Sequence, residues 1–108
     1  MRSFVKLIEL ENKYLTRGSV FRLPAKYPYE SIVDFMVCEN LASVSRFSLM
    51  VTTGYKAGII FQNFPLESLY DNCSISVGWI VENWDEWIYP ECTVENVFVS
   101  DGYVPNMQ

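Results

Sequence analysis

The side chains able to do chemistry in this 108-residue chain are carboxylates and three thiols, with no imidazole anywhere. General acid and base work near neutral pH most often uses histidine, and serine or cysteine triads need it too. Its absence therefore removes the commonest hydrolytic and nuclease mechanisms. Glu82 and Glu86 stand one turn apart on a helical reading, and with Asp85 they offer oxygen ligands for a hard cation. Magnesium sites, however, usually work beside basic groups that hold a phosphate substrate, and no Lys, Arg or His follows Lys56. Cys38, Cys73 and Cys92 are an odd count without CxxC spacing, and without histidine a zinc site would need an unusual ligand set. They read as reduced thiols, with Cys38 filling the core. Phosphate-cradling glycine loops are absent. The expectation is a chain with no catalytic residue, no metal and no cofactor. Asp34 is expected as a partly buried carboxylate on a strand, either facing water at the strand end or paired with Arg22 or Arg46.

Charge is distributed unevenly along the chain. From Ala57 to Gln108 there are eight carboxylates and no cation, a local formal charge of −8, while all eight basic residues lie at or before Lys56 beside five acidic ones. An acidic surface of this kind repels phosphates and attracts basic proteins. Direct nucleic-acid binding is therefore not expected. The aromatic residues Tyr27, Tyr29, Tyr55, Trp79, Trp84, Trp87, Tyr89 and Tyr103 do not read as base-stacking groups, because stacking platforms work inside positive grooves. A protein partner that itself grips nucleic acid through Lys and Arg fits better, since carboxylates can occupy sites built for phosphate.

The elements that must place these residues follow from hydrophobic periodicity. Runs rich in β-branched and aromatic residues predict strands at about 5–10, 19–23, 32–38, 44–52, 57–64 and 94–100. Between Ser76 and Tyr89 the apolar residues Val77, Ile80, Val81, Trp84, Trp87 and Ile88 recur at spacings of three and four, which predicts an amphipathic helix. Ser76 caps its start and Pro90 stops it. On a helical wheel Glu82, Asp85 and Glu86 lie away from the apolar stripe, with Trp79 among them. Phe47, Leu49 and Val51 lead into a hairpin turn around Gly54, which supplies the positive φ, and 23–29 form an ordered loop between strands. The expected fold is α+β: a twisted antiparallel sheet of five or six strands packed on one main helix at about 76–89, forming a single domain over 1–108. The longest apolar runs are too short to cross a bilayer and the N-terminus lacks a signal-peptide core, so a cytosolic location is expected.

The segments Arg17-Gly18-Ser19-Val20-Phe21-Arg22-Leu23-Pro24, Tyr27-Pro28-Tyr29, Thr53-Gly54-Tyr55-Lys56-Ala57-Gly58, Trp79-Ile80-Val81-Glu82-Asn83-Trp84 and Tyr89-Pro90-Glu91-Cys92 together resemble the bacterial Immunity protein 45 family, over roughly 15–99. The resemblance implies a non-enzymatic antitoxin of a polymorphic or contact-dependent growth-inhibition system, binding its cognate toxin domain one to one, with a basic nuclease as the expected toxin. It also implies backbone-shaping roles for Gly18, Pro24, Pro28, Gly54 and Gly58. Charge and expected exposure pick Glu82, Asp85, Glu86 and Glu91 as electrostatic contacts, with Trp79 and Tyr89 as anchors. The competing expectation is a regulatory or adaptor domain that binds another protein or self-associates through a sheet edge.

Overall fold

In the computed structural model, which describes residues 3–105, the alternating runs pair into one six-stranded antiparallel sheet. Its strands are β1 (Val5–Lys6), β3 (Val20–Pro24), β4 (Ile32–Glu39), β5 (Phe47–Val51), β6 (Ile60–Asn63) and β9 (Phe98–Ser100), in spatial order β1-β9-β3-β4-β5-β6. The period of two sorts their side chains. Phe21, Leu23, Val33, Phe35, Val37, Leu49, Val51 and Val99 point to one face and are buried. Arg22, Asp34, Met36 and Met50 take the other face, with Arg22 opposite Asp34 and Met36 opposite Met50 across their ladders.

The helical segment covers the buried face. Helix α1 (Val77–Asn83) starts where the sequence places it, the Ser76 hydroxyl accepting the Trp79 N–H at 3.1 Å. It does not run unbroken to Tyr89. After Asn83 the chain widens into a π-helical turn over Trp84–Ile88, closed by the Tyr89 N–H donating to the Trp84 carbonyl at 3.0 Å. A five-residue turn advances each side chain by a smaller angle than the 100° of an α-helix, so a wheel drawn through 76–89 misplaces its last residues. Trp84 fills the centre of the core. Its ring packs edge-on to Phe21 at 5.8 Å, and its indole N–H donates to the Cys92 carbonyl at 3.1 Å.

A second, three-stranded sheet was not expected. It is formed by β2 (Tyr14–Leu15), β7 (Leu69–Asp71) and β8 (Ser74–Ser76), in order β2-β8-β7. Strands of two or three residues carry too short an alternation to be read from sequence. Several expected strands also shorten: residues 7–9 and 94–96 form 3₁₀ turns, and 44–46 belong to a turn before β5. Cys38 is half-exposed on the outer sheet face, and the buried core thiol is Cys92.

Candidate functional site

Antiparallel connectivity sets the two ends of the large sheet. The β4–β5 connection (40–46) lies at one end, while the β3–β4 connection (25–31) and the β5–β6 connection (52–59) share the other. The chain leaving the π-turn joins that second end. Residues Glu91, Cys92, Thr93 and Asn96 line a shallow cleft of about 210 Å³ together with Pro24, Ala25 and Lys26.

Of the expected contact residues, Glu82, Asp85, Glu86 and Glu91 are exposed. The first three stand on the solvent side of α1 and its π-turn, and none has a cationic partner among the described residues. Like charges three and four residues apart on a helix are mildly unfavourable. No Lys or Arg follows them in sequence, and among the described residues the fold brings none across to pair with them.

Trp79 and Tyr89 require correction. Trp79 is half-buried rather than outward: its ring lies 6.1 Å from Phe64 and 5.8 Å from Trp87, because the chain leaving β6 brings Phe64 over the helix flank. Tyr89, expected as an exposed anchor, is only 8% exposed and belongs to the core. Its ring meets Tyr29 and Phe35 edge-on at 5.9 Å and 6.2 Å, and its hydroxyl accepts the Lys26 N–H at 2.8 Å. Tyr89 therefore braces the 25–31 loop from inside.

That loop and its neighbour carry aromatics that charge and helical periodicity did not single out. Tyr27 is 96% exposed and Tyr55 is 90% exposed. Glu30 clamps the two loops together, its carboxylate accepting the Tyr55 N–H at 3.1 Å. Gly54 permits the clamp twice over: its φ is +74°, and a Cβ there would stand 1.8 Å from the Glu30 carboxylate oxygen. The sequence signal is an aromatic residue set in a Pro- or Gly-bearing turn, where no core position is open to it.

Behind the tip, on the outer sheet face, lies a buried polar network. Asp34 is 1% exposed and receives both arms of the Arg22 guanidinium at 2.8 Å, along with the Tyr103 hydroxyl at 2.7 Å. Its backbone N–H donates to the Thr53 hydroxyl at 2.9 Å. The hydrogen bonds to Asp34 raise the Arg22 pKa further, and burial pushes the Tyr103 phenol up to about 12. Phe4 lies over the guanidinium at 4.1 Å. Every buried side-chain polar atom described has a partner, so this carboxylate is structural.

A cleft of about 380 Å³ at the other end of the sheet is lined by Arg17, Glu39, Arg46 and Cys73 among others, but Arg17 is already paired with Glu39. Among the described residues no His, Cys, Asp or Glu cluster is arranged to hold a metal, and no helix is long and apolar enough to cross a membrane.

The three helix carboxylates Glu82, Asp85 and Glu86 line none of the clefts described above. Among known families, the Immunity protein 45 family matches residues 7–99, most of the chain, and the chain belongs to that family. Membership in an immunity family implies a toxin as binding partner. No curated protein and no solved structure matches the chain.

Proposed function

We propose that this chain is a cytosolic inhibitor that binds a cognate toxin domain one to one and, without catalysis, covers its substrate site with carboxylates set where phosphates would lie. The toxin class that fits is a basic nuclease of a polymorphic or contact-dependent growth-inhibition system. The observation that carries the proposal is the exposed set Glu82, Asp85 and Glu86 on one short helical segment, without a cationic partner among the described residues. Carboxylates left unpaired on a helix have no stabilising role in the monomer, whereas opposite a Lys- and Arg-lined channel they raise the association rate and select the partner.

Co-expression with the protein encoded immediately upstream of the gene tests this. Restored growth together with an isolable, salt-sensitive complex is the expected result; no toxicity upstream and no complex would defeat it. Changing Glu82, Asp85 and Glu86 together to Ala should slow association and flatten its salt dependence, leaving stability within about 0.5 kcal/mol of the parent. An unaltered salt response would remove this face from the interface.

One observation favours a second reading, self-association or adaptor binding through a sheet edge. Among the described residues strand β6 pairs only with β5, and it and its approach present Ile59 and Ile60 to solvent. Sedimentation velocity on the isolated chain separates the two, a concentration-dependent dimer supporting the edge.

A further inference from the structure

We propose that Tyr27 and Tyr55 are the side chains that anchor the toxin partner, with the acidic helix acting as a charged rim beside them. This rests on the toxin-binding reading above and replaces Tyr89, which the core has absorbed, as the anchoring tyrosine.

The topology supplies the first reason. The connections carrying Tyr27 and Tyr55 emerge at the same end of the large sheet, which is also the end where Glu91 lines a cleft with Lys26. The two phenols thus stand on one tip of the molecule, and neither ring nor hydroxyl has a partner among the described residues. Large aromatic side chains left wholly in water contribute nothing to the monomer's core.

Preorganisation is the second reason. Exposed side chains on loose loops lose entropy when a partner immobilises them, which weakens binding. Here both loops are already fixed. Ala25 N–H donates to the Ser31 carbonyl and Tyr29 N–H to the Lys26 carbonyl, each at 2.9 Å, closing the first loop. Lys26 N–H is held by the buried Tyr89 hydroxyl, and Gly58 N–H donates to the Val51 carbonyl at 2.7 Å to close the second. Glu30 then ties the two loops together through the Tyr55 N–H. A tyrosine on such a base has only two side-chain torsions left to fix and presents a broad amphipathic surface.

The third reason is chemical type. Leu41 and Val44 are also well exposed, but they are aliphatic and lie at the opposite end of the sheet. Tyr, Trp and Arg dominate the energetics of protein interfaces, whereas Leu and Val are under-represented. A phenol ring also offers its face to a Lys or Arg, so two rings beside Glu30 and Glu91 suit a folded protein surface with an apolar depression edged by basic side chains. This matches the basic partner that the helix carboxylates select. The carboxylates then govern encounter, and the tyrosines govern residence.

The division of labour is measurable. The purified full-length chain and the toxin domain encoded immediately upstream are compared by biolayer interferometry, using Tyr27→Ala, Tyr55→Ala, the double variant, the corresponding Phe variants and the Glu82, Asp85 and Glu86 triple Ala variant. Each Tyr→Ala change should raise Kd by about 30-fold or more, chiefly through faster dissociation. Each Phe change should restore part of that loss, because the ring is kept. The triple Ala variant should instead slow association. Unchanged far-UV circular dichroism and urea midpoints exclude misfolding, as expected for side chains outside the core. If the wild type binds and the double Ala variant binds equally well, the anchors are overturned while the toxin-binding reading survives. Loss of a dimer of this chain, with toxin binding intact, would equally overturn them. Failure of the wild type itself to bind that toxin overturns both.

Discussion

Asp34 shows how a single carboxylate is given a structural rather than a catalytic role. It sits almost wholly buried on the outer sheet face because Arg22, its cross-strand neighbour, and Tyr103, from the C-terminal segment, supply three donors at 2.7–2.8 Å. Replacing it with Asn removes the charge and leaves the guanidinium and the phenol poorly matched. Stability should fall by about 1–3 kcal/mol, read as a lower urea midpoint with an unchanged m-value. Tyr103 gives a pH test with a definite sign. Its folded pKa, about 12, lies above the ordinary phenol value of 10.0. Its contribution to stability is thus fully present below pH about 10 and is lost as pH rises toward about 12. Ultraviolet titration should show a late-ionising tyrosine that disappears in Tyr103→Phe, and that variant should lose less stability than the parent between those pH values. An ion pair of Asp34 with Arg22 was one of the alternatives open in the sequence, beside Arg46 and a strand end facing water, and the β3–β4 register decided it. Tyr103 was not legible, because no periodicity specifies where a segment sixty-nine residues away will return.

The helical segment shows which part of an element local rules decide. Its start follows from Ser76, whose hydroxyl satisfies an orphan N–H; Ser76→Ala should cost about 1 kcal/mol, measured by thermal or urea unfolding. Its middle follows from the three-and-four spacing that sends Val77, Ile80 and Trp84 inward. Trp84→Ala should cost about 3–5 kcal/mol, since the cavity opens at the centre of the core and the Cys92 carbonyl loses its donor. The π-turn was invisible to that spacing. It widens the last turn so that Tyr89 can join Tyr29 and Phe35, and it turned an expected surface anchor into a loop brace. Trp79 is half-buried for a related reason, its partial cover being supplied by Phe64 from the chain after β6.

Across the whole molecule, the carboxylates Glu82, Asp85 and Glu86 stand on the helical segment and the most exposed tyrosines, Tyr27 and Tyr55, at the sheet end. Association with a basic partner should therefore slow steeply as salt rises and the Debye length shrinks to about 8 Å at physiological ionic strength, while dissociation changes little; stopped-flow or biosensor rates over a salt series would show it. The acidic bias that predicts this was in the sequence, because net charge depends on composition and needs no fold. So were the antiparallel class, the principal strands and the capped helix, which rest on period-two and period-3.6 patterns within one segment. The docking of β2 on β8, the burial of Tyr89 and the meeting of the Tyr27 and Tyr55 loops were decided only by tertiary structure. Each depends on contacts between segments far apart in the chain. A local pattern records which way a side chain points relative to its own element, and carries no information about which other segment arrives to cover it or leaves it bare.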